Sequence, residues 1–531
     1  MSLNAKWKFH GGIHLPDHKA ESNSTPIQEI ALPKKLVLPL QQHIGHAAEP
    51  IVEVGDKVLK GEMIARDASY VCAPVHAPSS GIVVAIEPHA IPHSSGLNAP
   101  CIVIETDGED TWGNLPAPID NCLEATPSVL GMRIRWAGMV GLGGATFPTS
   151  VKLNSGSKNQ IDTLIINVAE CEPYITCDDR VAREHADEVI RGICILMRII
   201  TAKECLIGIE DNKPEAIASL EKAVADSGKE NIQVCVVPTL YPSGGEKQLI
   251  KLLTGREVPS KSLPADVGVV CQNIATTLGV ANAVFHGKPL IERVVTVTGQ
   301  GIKNPGNYRV PLGTPMEELI QAAGGYSDNA KRLIMGGPMM GFALNTDKLP
   351  IVKGSNCLLI ASEEEAPDSP AAKACIRCGK CHTVCPAQLL PQQLYWFARA
   401  KELDKIQEYN LFDCIECGCC SHVCPSDIPL VQYYRYAKTE IWASEREKAK
   451  AEVARQRHDF RQARLARLEA ERKAKLRKKK EALDKKPKAA ATGKKDPKKA
   501  AIEAAMKRVA EKKAAQKKAE KAETSTEGGN E

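Results

Sequence analysis

The chain has 531 residues, 43% of them hydrophobic, and its size and composition predict several domains that each bury a core. The formal net charge of +5 is unevenly divided, because residues 441–531 hold 29 Lys+Arg and 15 Asp+Glu, which leaves 40 and 49 for residues 1–440. Residues 1–16 contain no apolar core of a signal peptide. The most apolar helical stretch, residues 189–200, contains two arginines and is too short to cross a bilayer. We therefore expect a soluble or peripheral protein whose scattered cysteines are reduced.

The first predicted domain, residues 1–125, contains short β-rich runs and turns. The segments VGDKV (54–58), GEMIA (61–65) and HAPSSGIV (76–83) resemble the repeated turns of biotinyl and lipoyl carrier domains. Such domains present a modifiable lysine on a hairpin, but no lysine stands between Ala65 and His76. We expect a carrier-like β-sandwich without a swinging arm.

Residues 126–290 are predicted to form an α/β domain with a glycine-rich loop. The loop, GMVGLGGATFPT at 138–149, leads toward Lys152. Glycines at this density let backbone N–H groups approach a phosphate closely, and a nearby lysine can balance its charge. Flexible turns use the same residues, so a structural α/β domain without a flavin is the alternative.

Three further segments accompany this loop: NVAECEP at 167–173, YPSGGEK at 241–247 and QNIATTL at 272–278. In this order the four segments resemble the flavin and NADH site of the complex I flavoprotein subunit. The resemblance implies that FMN and a nicotinamide dinucleotide are bound by the matching residues, which are Gly141, Gly143, Gly144, Phe147, Lys152, Asn167, Glu170, Glu172, Gly244, Gly245, Glu246, Asn273 and Thr276. It assigns no catalytic residue. Leu142 stands where that family has an arginine and Lys247 where it has a second acid, and both departures bear on the dinucleotide more than on FMN.

Residues 291–350 are predicted to form a third unit. Runs at 295–299 and 306–310 read as strands around a Pro-Gly turn, and residues 316–323 read as a helix. The unit resembles the soluble-ligand-binding β-grasp module that follows the flavin domain in the same family. We expect the glycine-rich segment GGPMMG at 336–341 to be a linker, and a segment that faces a ligand is the alternative.

Residues 365–440 carry the most specific motif. The spacing Cys-x-x-Cys-x-x-Cys-x-x-x-Cys-Pro occurs twice, 39 residues apart, with a predicted helical spacer at 391–410. In two-cluster ferredoxins the fourth cysteine of each run binds the other cluster. We therefore predict a helical two-cluster ferredoxin domain, with cluster 1 on Cys375, Cys378, Cys381 and Cys424 and cluster 2 on Cys385, Cys414, Cys417 and Cys420.

Structural zinc and disulfides are the alternatives to these clusters. Zinc sites usually take paired cysteines, which leaves the third cysteine and the Cys-Pro ending of each run unexplained. Disulfides require an oxidising compartment. Cys419 fits no ligand position, and we expect it to be a buried neighbour of the ligands.

Residues 441–531 form an Ala/Lys/Glu-rich basic tail. We expect fraying helix or disorder with a Pro/Gly interruption at 487–497, because the tail has little apolar surface to bury. Its charge leaves nucleic acid, an anionic membrane surface and an acidic partner open, and a solvated tether is the plainer alternative.

These parts form a multidomain α+β arrangement, and the chain carries the motif HGGIH at 10–14 ahead of them. The order of the parts and this motif resemble RnfC, the C subunit of the Rnf complex, which is also called Rsx. The resemblance implies a peripheral protein on the cytoplasmic face of the bacterial inner membrane. It would pass electrons between NADH and ferredoxin through FMN and two 4Fe-4S clusters, coupled to sodium or proton movement.

The implied partners are integral membrane subunits of the complex, its ferredoxin-like subunit, NAD(H) and ferredoxin, whereas nucleic acid is not expected. The coupling ion, the direction of flow and the immediate partner of each cluster do not follow from the residues. A soluble NADH diaphorase-type subunit is one alternative. A redox-regulatory role that keeps a transcription factor reduced is another.

Overall fold

The computed structural model describes residues 3–4, 7–122, 124–155, 160–368, 370–484 and 497–523, which form two units, Met1–Ala443 and Ser444–Glu531. The first two strands of the chain, β1 (Leu3–Asn4) and β2 (Gln28–Glu29), extend sheets of later domains, where β1 pairs with a strand of the α/β domain and β2 with one of the third domain. The N-terminal segment therefore ties several domains of the first unit together.

The N-terminal β domain consists of two small sheets. Its strands are β3 (Lys35–Pro39), β4 (Glu49–Pro50), β5 (Lys57–Val58), β6 (Met63–Arg66), β7 (Val75–His76), β8 (Gly81–Ala90) and β9 (Asn98–Thr106). One sheet has the order β3-β9-β8-β5 and the other β4-β6-β7. The alternation in β3 points Leu36 and Leu38 into the core. The predicted two-sheet β domain is present, and its β6–β7 hairpin carries no lysine.

The α/β domain is built on a parallel sheet of order β1-β12-β11-β10-β13. Its elements are α1 (Pro127–Trp136), α2 (Thr149–Ser155), β10 (Thr163–Val168), α3 (Cys177–Glu184), α4 (Ala186–Ile200), β11 (Glu204–Glu210), α5 (Pro214–Ser227), β12 (Ile232–Val237), α6 (Glu246–Thr254), β13 (Val269–Asn273) and α7 (Ile274–Phe285). The central strands are apolar and buried, as expected for a sheet covered on both faces.

The strand order of this sheet reverses beside β10. From β10 the chain proceeds outward through β11 and β12, and β13 then lies on the opposite side of β10. Ligands of such sheets bind outside the carboxyl ends of the strands at this switch point. The fold therefore places a crevice after Val168 and Asn273, where two of the predicted site segments begin.

The third domain contains β14 (Glu292–Thr298), β15 (Gly306–Pro311), α8 (Met316–Ala322), β16 (Ala330–Met335), β17 (Phe342–Leu344) and β18 (Cys357–Ser362), in a sheet of order β17-β16-β18-β14-β15-β2. The predicted strands and helix are present. The sheet continues beyond residue 350, because the fully buried strand β18 pairs with both β14 and β16. The prediction of a linker at 336–341 is wrong, since these residues form the turn between β16 and β17.

The two-cluster domain is helical. It contains α9 (Lys380–Thr383), α10 (Pro391–Ala400), α11 (Leu403–Glu408), α12 (Cys419–His422) and the first turns of α13 (Leu430–Asp484). The predicted spacer is helical, as α10 and α11, and packs its buried residues against Tyr434 and Ile441 of α13. Short 3-10 helices complete the first unit at Lys19–Glu21, Pro264–Val267 and Leu411–Asp413.

The described residues of the tail are helical, in the remainder of α13 and in α14 (Pro497–Glu523), and residues 453–484 and 498–514 are exposed. The predicted interruption lies outside the described residues except for Pro497, where α14 begins. Among the described helices, none combines the length and the apolar character needed to cross a membrane.

Candidate functional site

The two cysteine runs have the same local backbone structure. Positive φ angles recur 39 residues apart, at Arg377 and Glu416 (57° and 59°) and at Gly379 and Gly418 (78° and 82°). Each glycine precedes a four-residue helix, α9 or α12, that carries the third cysteine of its run. The duplication in the sequence is therefore a duplication of the loop that holds each set of cysteines.

The cysteines of the two runs are exchanged between two small apolar cavities. Cys375, Cys378, Cys381 and Cys424 line one cavity, which is the set predicted for cluster 1. The set predicted for cluster 2, Cys385, Cys414, Cys417 and Cys420, lines the other. The fourth cysteine of each run thus lies with the first three of the other run.

The spread of these sulfurs fits a cluster better than a single zinc ion. A tetrahedral zinc with Zn–S bonds of about 2.3 Å holds its sulfurs about 3.8 Å apart. In the part of the chain that the structure describes, the only three potential ligand atoms from different residues within 4.8 Å of one another belong to Glu170, Cys177 and Asp178. A four-iron core gives each thiolate its own iron, so its ligand sulfurs lie farther apart than those of a single zinc ion.

Cys419 is fully buried and does not line either of the two cavities. Its thiol is hydrogen-bonded with that of Cys417. Cys419 is therefore placed as a neighbour of a predicted ligand.

The cluster 2 loops contact the α/β domain and the N-terminal segment. The buried Tyr241 hydroxyl donates to the Cys417 carbonyl at 2.7 Å, and the Gly12 N–H donates to the Val384 carbonyl at 3.0 Å. His10 Nδ1 lies 3.1 Å from the Cys385 carbonyl oxygen. The HGGIH motif thus holds the cluster 2 loops against the α/β domain, a role that nothing local in the sequence indicates.

The glycine-rich loop of the α/β domain lies at the switch point of the sheet. The Gly141 N–H donates to the Phe147 carbonyl at 2.9 Å, which closes the loop. The buried Leu142 donates its N–H to Thr276 Oγ1 at 2.8 Å, and Gly143 lies beside Asn273. Asn273 caps α7, since its Oδ1 accepts from the N–H of Ala275 at 2.9 Å and of Thr276 at 3.3 Å. The first and fourth predicted segments are therefore in direct contact.

The tip of this loop is open to a ligand. Gly143 and Gly144 are exposed, and their backbone N–H groups have no acceptor among the described residues. A Cβ added to Gly144 would meet nothing within 4 Å. Its φ of +109° is a conformation that side-chain-bearing residues rarely adopt. Free amides of this kind fit a flavin phosphate.

Acidic side chains lie deeper in the crevice. The Asp178 N–H donates to Glu170 Oε1 at 2.7 Å, and Asn273 Nδ2 donates to Asp178 Oδ2 at 2.6 Å. Burial raises the pKa of both carboxyls above their usual range. Glu170 Oε2 has no hydrogen-bond partner among the described residues and lies 3.9 Å from Lys19 Nζ. This buried oxygen thus has an unused hydrogen-bonding capacity beside the Lys19 ammonium.

Lys19 is a site residue that sequence reasoning missed. Its buried ammonium donates to the carbonyls of Glu170, Glu172 and Ile175 at 2.8, 3.1 and 2.6 Å. These bonds fix the second predicted segment from a position about 150 residues earlier in the chain. Because Lys19 stands in a polar, irregular stretch, no periodicity could have indicated this contact.

The third segment contacts the first two. Asn167 Nδ2 donates to the Gly244 carbonyl at 2.8 Å, Gly245 precedes the first residue of α6, and Glu246 forms an ion pair with Lys152. Lys247 instead donates to the Pro259 carbonyl at 3.2 Å. The four predicted segments therefore converge on one crevice.

Glu172 differs from the other predicted residues because it holds the β16–β17 turn. Its carboxylate accepts from the N–H of Met339 at 3.2 Å and of Met340 at 2.7 Å. Met339 in turn packs against Gly418 of the cluster 2 loop. Glu172 thus connects the α/β domain to the third domain beside cluster 2.

Replacing Glu172 by glutamine is expected to reduce the pH dependence of stability. Burial raises the Glu172 pKa to about 7, above its ordinary value of 4.5, so this group contributes stability that is full below pH 4.5 and is lost as the pH rises through 7. Glutamine resembles the protonated form at every pH. Thermal unfolding at pH 5 and pH 8 should show the variant gaining stability relative to wild type at pH 8, and an equal difference at both pH values would contradict the burial argument.

Four family models match the chain. The RnfC barrel sandwich hybrid domain matches residues 7–109, the Nuo51 FMN-binding domain residues 134–282, the SLBB domain residues 294–343 and the 4Fe-4S dicluster domain residues 374–428. The predicted FMN and 4Fe-4S cofactors are thereby confirmed at the level of the domains.

Curated relatives match most of the chain. A protein of Yersinia pestis bv. Antiqua, named as the C subunit of an ion-translocating oxidoreductase complex, is 50% identical over 461 residues, which are 87% of this chain and 74% of that protein. A protein of the same name from Pseudomonas aeruginosa is 49% identical over 472 residues, 89% of this chain and 60% of that protein. Among solved structures, an NAD+-reducing NiFe hydrogenase in its H2-reduced state aligns with a TM-score of 0.43 at 17% identity, over 60% of this chain and 63% of that one.

Proposed function

The chain belongs to the RnfC family, the C subunits of ion-translocating oxidoreductase complexes, and on that premise we propose that it passes electrons between NADH and ferredoxin, coupled to sodium or proton movement across a membrane. The carrying observation is that a crevice suited to FMN and a pair of cysteine-lined cavities lie in one folded unit, with the cluster 2 loops bonded to the α/β domain. Bound FMN exchanges two electrons with a nicotinamide, whereas each 4Fe-4S cluster carries one.

In this proposal the residues of the crevice have separate tasks. The free N–H groups of Gly143 and Gly144 bind the flavin phosphate, and the deeper carboxyls of Glu170 and Asp178 face the rest of the bound molecule. Burial raises the pKa of Glu170 to about 8, so this carboxyl holds a proton at neutral pH and can donate a hydrogen bond, whereas Asp178, whose pKa is raised to about 6, is mostly ionised there. The remaining predicted residues shape and hold the loops.

Two residues of the crevice depart from the complex I family at positions that concern NADH. The family arginine is replaced by Leu142, which is buried and directs its N–H to Thr276. Lys247 occupies the position of the second family acid, at the start of α6. Its ammonium donates to the Pro259 carbonyl and puts a positive charge where the family has an acid.

The decisive experiment is an anaerobic NADH titration of the reconstituted full chain. FMN and iron are first quantified, and visible and EPR spectra then follow the reduction of flavin and clusters. The proposal expects one FMN and about eight irons per chain, and cluster signals that grow with added NADH. Clusters that NADH cannot reduce in flavin-loaded protein would overturn it.

The partners and location follow from the same premise. We propose that integral membrane subunits, a ferredoxin-like subunit and ferredoxin contact the chain, which lies peripherally on the cytoplasmic face of the inner membrane. Copurification with integral subunits from membrane fractions would support this arrangement over a soluble diaphorase. Recovery of the native chain from the soluble fraction alone would favour the diaphorase.

Truncation after Ala443 is expected to leave the cofactors and NADH-driven reduction of an artificial acceptor intact. Ile441 is the last buried residue of α13, and the first unit ends at Ala443. The basic tail should add only salt-sensitive attraction to anionic lipid, about 1 kcal/mol for each basic residue that reaches the surface. Membrane fractions washed with increasing salt should release the truncated chain first; loss of iron or of NADH oxidation would instead show that the tail belongs to the catalytic fold.

A further inference from the structure

The two cluster sites differ in how they face the rest of the first unit. Cys417 and Cys420 of the cluster 2 site are each 7% exposed, and the loops of that site are bonded to Tyr241 and to the N-terminal segment. Cys378 of the cluster 1 site is exposed. Among the described residues, the hydrogen bonds of residues 373–381 stay within the two-cluster domain. Cluster 2 therefore faces the flavin domain and cluster 1 faces outward.

The outward loop has a distinctive charge. Lys373, Arg377 and Lys380 are exposed, and residues 370–383 contain no acid. The adjoining segment, residues 424–430, adds one exposed acid, Asp427. Of the acids that precede the loop in the chain, Glu364 is exposed, whereas Glu363 and Asp368 are paired with Lys331 and Arg332 of β16. Residues 1–440 as a whole carry 49 acidic and 40 basic side chains. An acidic macromolecule would be repelled by most of this body and attracted to this loop.

An apolar side chain stands among these charges. Ile376 is 67% exposed and lies between the first two ligand cysteines. An apolar centre with a charged rim is typical of protein interfaces, where charge guides encounter and the apolar centre is buried on binding. Basic and apolar side chains together also bind anionic lipid surfaces. A protein is favoured here because Ile376 lies between two ligand cysteines of cluster 1, where a redox partner would contact the cluster site.

We propose that the loop of residues 373–380, which we call the basic loop, is the docking surface for an acidic protein with a one-electron centre. The proposal rests on the proposed function in taking cluster 1 as an electron-transfer site. A single electron crosses the interface, so that one centre is oxidised and the other reduced by one, and no bond or proton is exchanged. Cluster 1 is the terminal cluster on the partner's side, and cluster 2 the one on the flavin's side.

The test uses charge reversal in the full chain carrying its cofactors. The variant combines Lys373→Glu, Arg377→Glu and Lys380→Glu, and the matched control combines Lys57→Glu, Lys229→Glu and Lys348→Glu, exposed lysines of the other three domains of the first unit. The probe is a small acidic two-cluster ferredoxin. Its Kd is measured by calorimetry at several salt concentrations, and vesicles of phosphatidylglycerol and phosphatidylcholine are tested in parallel.

We expect ferredoxin binding to weaken with salt in wild type and to weaken about tenfold or more in the basic-loop variant, with little change in the control. Vesicle binding should be the same in all three proteins. Equal ferredoxin affinity in variant and control would overturn the proposal, and so would a loss confined to vesicles, which would assign the loop to lipid.

Because Arg377 and Lys380 stand between ligand cysteines, iron content and EPR spectra are checked first. If the triple variant has lost a cluster, ferredoxin binding is measured with the single variant Lys373→Glu instead, because this residue precedes the cysteine run. It should weaken ferredoxin binding about two- to threefold, and an unchanged Kd would count against the proposal. Docking and the proposed function can fail separately, because salt-dependent binding is measured independently of cluster reduction by NADH.

Discussion

Replacing Cys385 by serine is expected to remove cluster 2 and leave cluster 1 in place, which lowers the iron content from about eight to about four per chain. Cys385 belongs by sequence to the first cysteine run, yet it lines the cavity of Cys414, Cys417 and Cys420. The substitution removes one thiolate from the cluster 2 site. Cluster 1 is spared because its four cysteines are unchanged. Iron analysis and EPR of the reduced protein measure the result.

The control for this experiment is Cys419→Ser, which changes a thiol of the same region. Cys419 is buried and does not line either of the two cluster cavities, so this variant should retain about eight irons. An EPR spectrum in which Cys385→Ser removes cluster 1 instead would reverse the assignment. Loss of four irons in Cys419→Ser would make that residue a ligand.

The features predicted well from sequence are those that depend on near neighbours in the chain. The cysteine spacing is a local pattern, and the positive φ at Gly379 and Gly418 is a local property of the duplicated loop. The helix α8 and the strands β14 and β15 follow from periodicity within a few residues. In each case the residues that produce the signal also form the element.

The features that escaped prediction are contacts between distant segments. The interaction of His10 with the Cys385 carbonyl spans 375 positions, and Lys19 reaches carbonyls more than 150 residues away. The turn at 336–341 looked like a linker because its glycines carry no periodicity, although its amides hold Glu172. Backbone carbonyls accept such bonds whatever their side chain, so sequence leaves no mark of them.

The candidate site combines both kinds of information. The glycine-rich loop and the Asn273 cap could be identified by resemblance, but their meeting depends on the position of β13 beside β10. That position follows from the sheet order, which a single sequence does not specify. The parallel sheet thus turns four separate segments into one crevice.

Replacing Gly144 by valine is expected to lower FMN affinity about tenfold or more while leaving both clusters intact. At a φ of +109° a β-branched residue is strongly disfavoured, so the loop must change its backbone conformation although space for the side chain is present. That change moves the free N–H groups of Gly143 and Gly144 away from the flavin phosphate. FMN released by acid from the purified protein, divided by chain concentration, measures the loss.

The matched control for this variant is Gly55→Val. Gly55 also has a strongly positive φ, 100°, and open space around its Cβ, but it lies in a turn of the N-terminal β domain, away from the four site segments. The control should suffer similar backbone strain and keep its FMN, with about eight irons per chain in both variants. Because strain is matched, a selective loss of FMN in Gly144→Val assigns phosphate binding to the loop tip. Full FMN content in that variant, or equal loss in both, would reduce the loop to a structural turn and leave the flavin to be held elsewhere in the crevice.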